Sequence, residues 1–135
     1  MQIELLGPLE VRADDGTRIQ VAGTRLRALV ILLALEVGRL VPTTRLVDGI
    51  WGADPPPGAT NALQALVSRL RRALPHLVVE SQPTGYRLLA DVDAVDVGRF
   101  ERLLAAARAT PNDAAATART LREALALWRG PALLD

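Results

Sequence analysis

The chain has no cysteine, no lysine and a single histidine. Without cysteine, disulfides, thiolate nucleophiles and cysteine-ligated zinc are excluded. Without lysine, there is neither a Schiff-base amine nor a Walker-type phosphate lysine, and all 16 basic residues are arginine. His76 alone cannot build a multi-histidine metal site. Aromatic residues make up only 3% of the chain, too few for the stacking platforms that bind single strands. The longest apolar run, residues 28–35, is far short of the ~20 residues a bilayer span needs. Met1-Gln2-Ile3-Glu4 carries no basic leader and reaches Gly7-Pro8 at once. The expectation is a soluble cytoplasmic protein with no membrane partner. No Ser-His-Asp set, GxGxxG or metal-ligand cluster is present, so an enzyme is not expected, nor a cofactor.

What is there suffices for a folded core. Half of the 135 residues are hydrophobic, 23% are charged, and formal net charge is +1. Disorder and a polybasic tail are both excluded as the functional device. The first 21 residues alternate apolar and polar: Ile3 and Leu5, Leu9 and Val11, Ile19 and Val21 interleave with charged or amide side chains. Period two, punctuated by Gly7-Pro8 and Asp14-Asp15-Gly16, predicts a three-stranded antiparallel meander.

Three helices are expected next. The first spans residues 24–37, with Leu26, Leu29, Val30, Leu33 and Val37 on one stripe. Ile31, Leu32 and Leu35 grease its other side, so it should be packed on both faces. The second follows Pro42, with Thr43 as the expected N-cap and Leu46, Val47, Ile50 and Trp51 buried. Ala53-Asp54-Pro55-Pro56-Pro57-Gly58 then forms a stiff loop. The third runs from residue 59 or 60 to 74, with Leu63, Leu66, Val67, Leu70 and Leu74 as its core stripe. Residues 78–81 and 86–89 flank Gln82-Pro83-Thr84-Gly85 as a hairpin. Beyond an acidic connector at 91–96, two alanine-rich helices are expected, at 96–109 and 113–128, joined through Thr110-Pro111-Asn112. Their inward faces should be Phe100, Leu103, Leu104 and Ala107, and Ala114, Ala118, Leu121, Leu125 and Trp128. The pair matches the length of a tetratricopeptide-type repeat, which needs a neighbour to cover it. Either it packs on the first domain or the chain is part of a longer protein; Leu133-Leu134-Asp135 ends in mid-pattern, which favours the latter. Trp51 and Trp128 are expected in the core, and His76 in an exposed loop.

The layout of sheet, three helices and hairpin is that of an α+β winged helix-turn-helix, and the third helix carries the chemistry. Opposite its leucines lie Asn61, Gln64, Ala65, Ser68 and Arg72, flanked by Arg69 and Arg71. Amides and hydroxyls can bond base edges, and Ala65 is small enough to approach a thymine methyl group. Arg69, Arg71, Arg72 and Arg87 can meet guanine or phosphate. Residues 60–90 hold these four arginines against one acid, Glu80. Thr60 and Asn61 stand where a helix start can meet a phosphate. The plain alternatives are that outer-face arginines are solvated surface and that Tyr86 is a wedge in the hairpin base.

Residues 1–90 resemble the OmpR-type winged-helix DNA-binding domain. The whole chain is similar to the Streptomyces antibiotic regulatory protein (SARP) family and its AfsR-like relatives. The resemblance is carried by Leu6-Gly7-Pro8-Leu9-Glu10-Val11 and Arg45-Leu46-Val47-Asp48-Gly49-Ile50-Trp51-Gly52. It continues through Asn61-Ala62-Leu63-Gln64, Val67-Ser68-Arg69-Leu70-Arg71-Arg72-Ala73-Leu74 and Gly85-Tyr86-Arg87-Leu88. From residue 91, Asp96 to Phe100 and Leu125-Ala126-Leu127-Trp128-Arg129-Gly130 resemble the opening of the bacterial transcriptional activator domain. The implied domains are 1–90, DNA-binding, and 91–135, the first part of an all-helical activator domain.

The resemblance implies a transcriptional activator, often of secondary-metabolite genes, working at the nucleoid. It would bind direct repeats near promoters as a head-to-tail homodimer and recruit RNA polymerase. The third helix would enter the major groove through Thr60, Asn61, Gln64, Ala65, Ser68, Arg69, Arg71 and Arg72. The wing would contact DNA through Thr84, Tyr86 and Arg87. Ala53, Asp54, Pro55, Pro56, Pro57 and Gly58 would face the polymerase. The wing tip, Ser81-Gln82-Pro83-Thr84, lacks the basic residue that relatives often carry, leaving Arg87 as the wing's main cation. No phosphoryl-accepting receiver domain is expected ahead of the first strand. The competing expectation is a protein-interaction adaptor acting through the helical pair.

Overall fold

A computed structural model describes residues 1–109 and 112–129. The elements are β1 (Gln2–Glu4), β2 (Glu10–Arg12), β3 (Arg18–Ile19), α1 (Thr24–Leu35), β4 (Leu40–Pro42), α2 (Thr43–Trp51) and α3 (Ala59–Ala73). After them come β5 (Val78–Gln82), β6 (Gly85–Leu89), α4 (Asp96–Arg108) and α5 (Ala114–Ala126). This is the expected α+β winged helix with an N-terminal antiparallel sheet, a wing hairpin and a repeat-like helical pair.

The first sheet is the expected meander, in order β1-β2-β3. Ile3 pairs with Val11 and Val11 with Ile19, so one face of the pleat is apolar and Ile3 and Val11 are buried. α1 is packed on its first face and partly on its second, where Leu35 is exposed, contrary to its pattern. Leu26, Leu29, Val30, Leu33 and Ala34 are buried, while Ile31 and Leu32 pack against the core from the side. Leu32 approaches α2 at Gly49, where a Cβ would lie 2.6 Å from the leucine methyl.

Two expectations about this region are corrected. α1 stops at Leu35 rather than at residue 37, because the chain turns through Gly38 (φ +80), whose amide donates to the Leu88 carbonyl at 2.8 Å. The chain so captured forms an unexpected strand, β4, giving a second sheet in order β4-β6-β5. Thr43 is not the N-cap of α2. Pro42 holds that place and Thr43 is the first helical residue. Its amide and hydroxyl both donate to the Thr84 carbonyl, at 2.9 and 3.3 Å, which ties the start of α2 to the wing turn. At Gly85 the strands approach so closely that a Cβ would meet the Val41 carbonyl oxygen at 2.1 Å.

The helical pair packs on the first sheet. The acidic connector is not a free link: Val92–Ala94 forms a short 3-10 turn and Val95 bridges to Ile3. Asp96, 1% exposed, accepts the amides of Leu5 and Leu6 at 2.7 and 2.9 Å. At the far end, the Arg129 amide donates to Leu6 O, and its guanidinium donates to Pro8 O and faces Glu4 and Glu10.

α4 turns Ala107 inward, with Phe100, Leu103 and Leu104 half-buried, as expected. α5 does not. Its buried side is Ala124, with Ala116, Thr117, Thr120 and Leu127 half-buried, whereas Ala114, Ala118, Leu121, Leu125 and Trp128 are exposed. Small side chains on the inward side of α5 let the two helices approach closely, which leaves the larger apolar ones outside. Trp128, expected in the core, is 41% exposed and meets Phe100 edge-on at 5.7 Å. Thr110 and Pro111 of the expected connection, and residues 130–135 with Gly130 and Leu133-Leu134-Asp135, lie outside the described residues.

Candidate nucleic-acid interface

α3 has one buried and one open side. Leu63, Leu66, Val67 and Leu70 are buried, and at about 2 kcal/mol for each buried side chain they hold the rod against α1 and α2. Thr60, Asn61, Gln64, Ala65, Ser68, Arg69, Arg71 and Arg72 are all exposed with α4 and α5 in place. The helix starts at Gly58, in the left-handed region at φ +68, without a side-chain cap. Its first turn has no acid and its last turn carries Arg71 and Arg72, which suits the helix dipole.

The arginines are not equivalent. Arg71 reaches sideways and donates to the Val79 carbonyl at 2.5 Å and to Ser81 Oγ at 2.9 Å. It therefore joins α3 to the wing instead of standing free. Among the described residues, Arg69 and Arg72 have no carboxylate partner. Arg87 donates to Glu80 Oε1 at 2.7 Å across the hairpin. Glu80 also accepts from the Gln82 amide, and this hydrogen bond first, then that of Arg87, holds its carboxyl below the ordinary carboxylate range. The wing's main cation is thus largely neutralised by its cross-strand neighbour.

Tyr86 is 8% exposed and belongs to the core, between Val41 and Ser81 in the strand register. It is wedged into the sheet near the turn end of the hairpin, the plain alternative to a DNA contact, and its burial leaves little of it for one. Thr84 is exposed at the two-residue turn. Ala53, Asp54, Pro55, Pro57 and Gly58 are exposed in the loop before α3, and Pro56 is half-buried. Gly52 (φ +63) and Gly58 (φ +68) bracket this loop.

Sequence reasoning passed over two features. The Glu80–Arg87 pair was legible: counting outward from the two-residue turn Pro83-Thr84 sets Glu80 opposite Arg87. Arg25, exposed at the start of α1 with its guanidinium 6.0 Å from the centre of the Trp51 ring, carries no local signal.

Residues 16–88 match the family model described as transcriptional regulatory protein, C terminal. The chain belongs to that family. Residues 95–135 match the bacterial transcriptional activator domain, which completes the SARP layout. The transcriptional regulator RedD of Streptomyces coelicolor is 40% identical over all of this chain and 41% of its own length. The regulatory protein DnrI of Streptomyces peucetius is 36% identical, again over the whole chain and over 54% of its own length. The chain thus spans roughly half or less of these curated relatives.

Among solved structures, Mycobacterium tuberculosis EmbR in complex with a low-affinity phosphopeptide superposes with a TM-score of 0.89 at 32% identity. That match covers 98% of this chain and 37% of EmbR. The DNA-binding domain of Bacillus subtilis CssR gives 0.52 at 30% identity, over 59% of this chain and 90% of that domain. The SARP relatives carry the names of regulators, not of enzymes. No helix among the described residues is long and apolar enough to cross a membrane.

Proposed function

We propose that this SARP-type chain binds double-stranded DNA sequence-specifically and activates transcription, including that of secondary-metabolite genes. The observation that carries this reading is the division of α3 into a buried leucine stripe and an exposed side of amide, hydroxyl and guanidinium groups. A major groove about 12 Å wide admits such a helix. Asn61, Gln64 and Ser68 would read base edges, Ala65 would admit close approach, and Arg69 and Arg72 would meet guanine or phosphate. Thr60 would meet the backbone at the helix start and Thr84 at the wing tip. Arg71 positions the wing and Arg87 contributes little charge.

One such domain makes few phosphate contacts, so a single half-site would hold it weakly. Two copies arranged head to tail on a direct repeat would gain from effective concentration. The loop Ala53, Asp54, Pro55, Pro56, Pro57, Gly58, stiffened by three prolines, would meet RNA polymerase beside the bound promoter in the cytoplasm. Footprinting of genomic DNA tests the reading. Protection of spaced direct repeats, lost or shifted in Gln64→Ala and Ser68→Ala and weakened in Arg72→Ala, is the expected result. No protection at low salt overturns it.

A second reading, a protein-interaction adaptor, is favoured by the exposed apolar side chains of α5 at Leu121 and Leu125. It would be supported by capture of a defined partner through that helix without any duplex binding.

A further inference from the structure

Arg25 of α1 and Arg69 of α3 line one open cleft of about 460 Å³ together with Gly23, Thr24 and Leu26. The Arg69 guanidinium lies against Gly23, where a Cβ would sit 3.8 Å from Nη2. Neither arginine has a carboxylate partner among the described residues, and no acid lines the cleft, so its two cations are not offset there. Uncompensated cations lining a concave surface concentrate an anion there. Arg25 is also held in place: its guanidinium lies 6.0 Å from the centre of the Trp51 ring, a cation–π arrangement that limits its rotamers before any ligand arrives. Trp51 packs at the edge of the core, so this support is anchored.

Arg69 belongs to the flank of α3, next in sequence to the outward Ser68. A duplex read by Ser68, Ala65 and Arg72 would bring its sugar-phosphate backbone alongside that flank. We infer that Arg25 and Arg69 together clamp a single backbone phosphate of the duplex, at a site where α1 adds a contact of its own to that of Arg69 on α3. The inference rests on the reading of α3 as the groove-bound helix. It assigns Arg25 a role in affinity that is independent of sequence, since a phosphate carries no base information.

The test is equilibrium binding of the full chain to a mixed-sequence duplex, by fluorescence anisotropy over a range of salt. Arg25→Gln should weaken binding about tenfold at low salt, the worth of one charge-assisted hydrogen bond. It should also flatten the slope of log affinity against log salt by up to about 0.9. Because both arginines hold one phosphate, Arg25→Gln should have little further effect in an Arg69→Gln background. Thermal melting of each variant should match the parent, since both side chains are exposed. Parent-like affinity and slope in Arg25→Gln, or additive losses in the double variant, would overturn the shared clamp and leave duplex binding standing. Failure of the parent chain to bind any duplex at low salt would overturn the reading of α3 and the clamp with it.

Discussion

Asp96 lies beneath Leu5 and holds its amide at 2.7 Å, across 91 residues of chain. The same carboxylate takes the amide of Leu6, so one acid at the start of α4 satisfies two backbone donors where the first strand runs out. The helical pair is thereby fastened to the sheet by backbone recognition as well as by apolar contact. Replacing Asp96 with alanine leaves two buried N–H groups without acceptors. The expected loss is about 3 kcal/mol of unfolding free energy, read as a lower urea midpoint.

Gly85 faces the Val41 carbonyl with no room for a side chain. Gly85→Ala must push β4 away from β6 and break the tie between α2 and the wing. The expected cost is about 2–3 kcal/mol. Chemical denaturation measures it, and a cost below the scatter of surface substitutions would contradict the close approach.

Glu80 neutralises Arg87, so removing its charge should strengthen DNA binding. Glu80→Gln is expected to raise affinity for a mixed-sequence duplex and to steepen its salt dependence by up to one phosphate contact. Anisotropy titrations check this; unchanged affinity would mean that the wing stays clear of the backbone.

The same residue sets a pH dependence. Its folded carboxyl titrates below the ordinary range because of the Gln82 and Arg87 hydrogen bonds. The stabilisation of the hairpin is therefore present above the unfolded-state carboxylate value and is lost as pH falls through the lower, folded one. NMR signals of the Arg87 guanidinium should shift in that acidic window, and Glu80→Gln should abolish the shift.

Leu125 is 65% exposed on the outward side of α5. Leu125→Lys should change stability by less than about 0.5 kcal/mol, whereas Ala124→Leu, inserted into the α4–α5 contact, should cost about 1–3 kcal/mol. Thermal melting of the two variants separates the sides of the helix.

The sequence made α3 legible because leucines at three- and four-residue spacing stand opposite a side that is polar except for the small Ala65, and few other arrangements satisfy that pattern. The wing was legible because Pro83-Thr84-Gly85 admits little but a turn. β4 was not: three residues with one buried side chain are too short for alternation to register, and the strand forms because β6 captures it. The inward side of α5 was misread because alanine is compatible with either side of a helix, so packing distance and not hydrophobicity decides which side faces α4. The fates of the arginines were hidden for a related reason. Arg71, Arg72 and Arg69 look alike along the chain, and only the location of the Val79 carbonyl, brought near by tertiary folding, separates the tethered one from the free ones.

The tether from Arg71 to Val79 also bears on how the molecule meets a double helix. β5 is the outer strand of its sheet, and its Val79 oxygen would otherwise invite pairing by a foreign strand. With that oxygen occupied, the hairpin is discouraged from zipping onto other chains. The same link braces rod and ribbon like the jaws of a calliper set before use, so the two need not search for their separation once the polymer arrives.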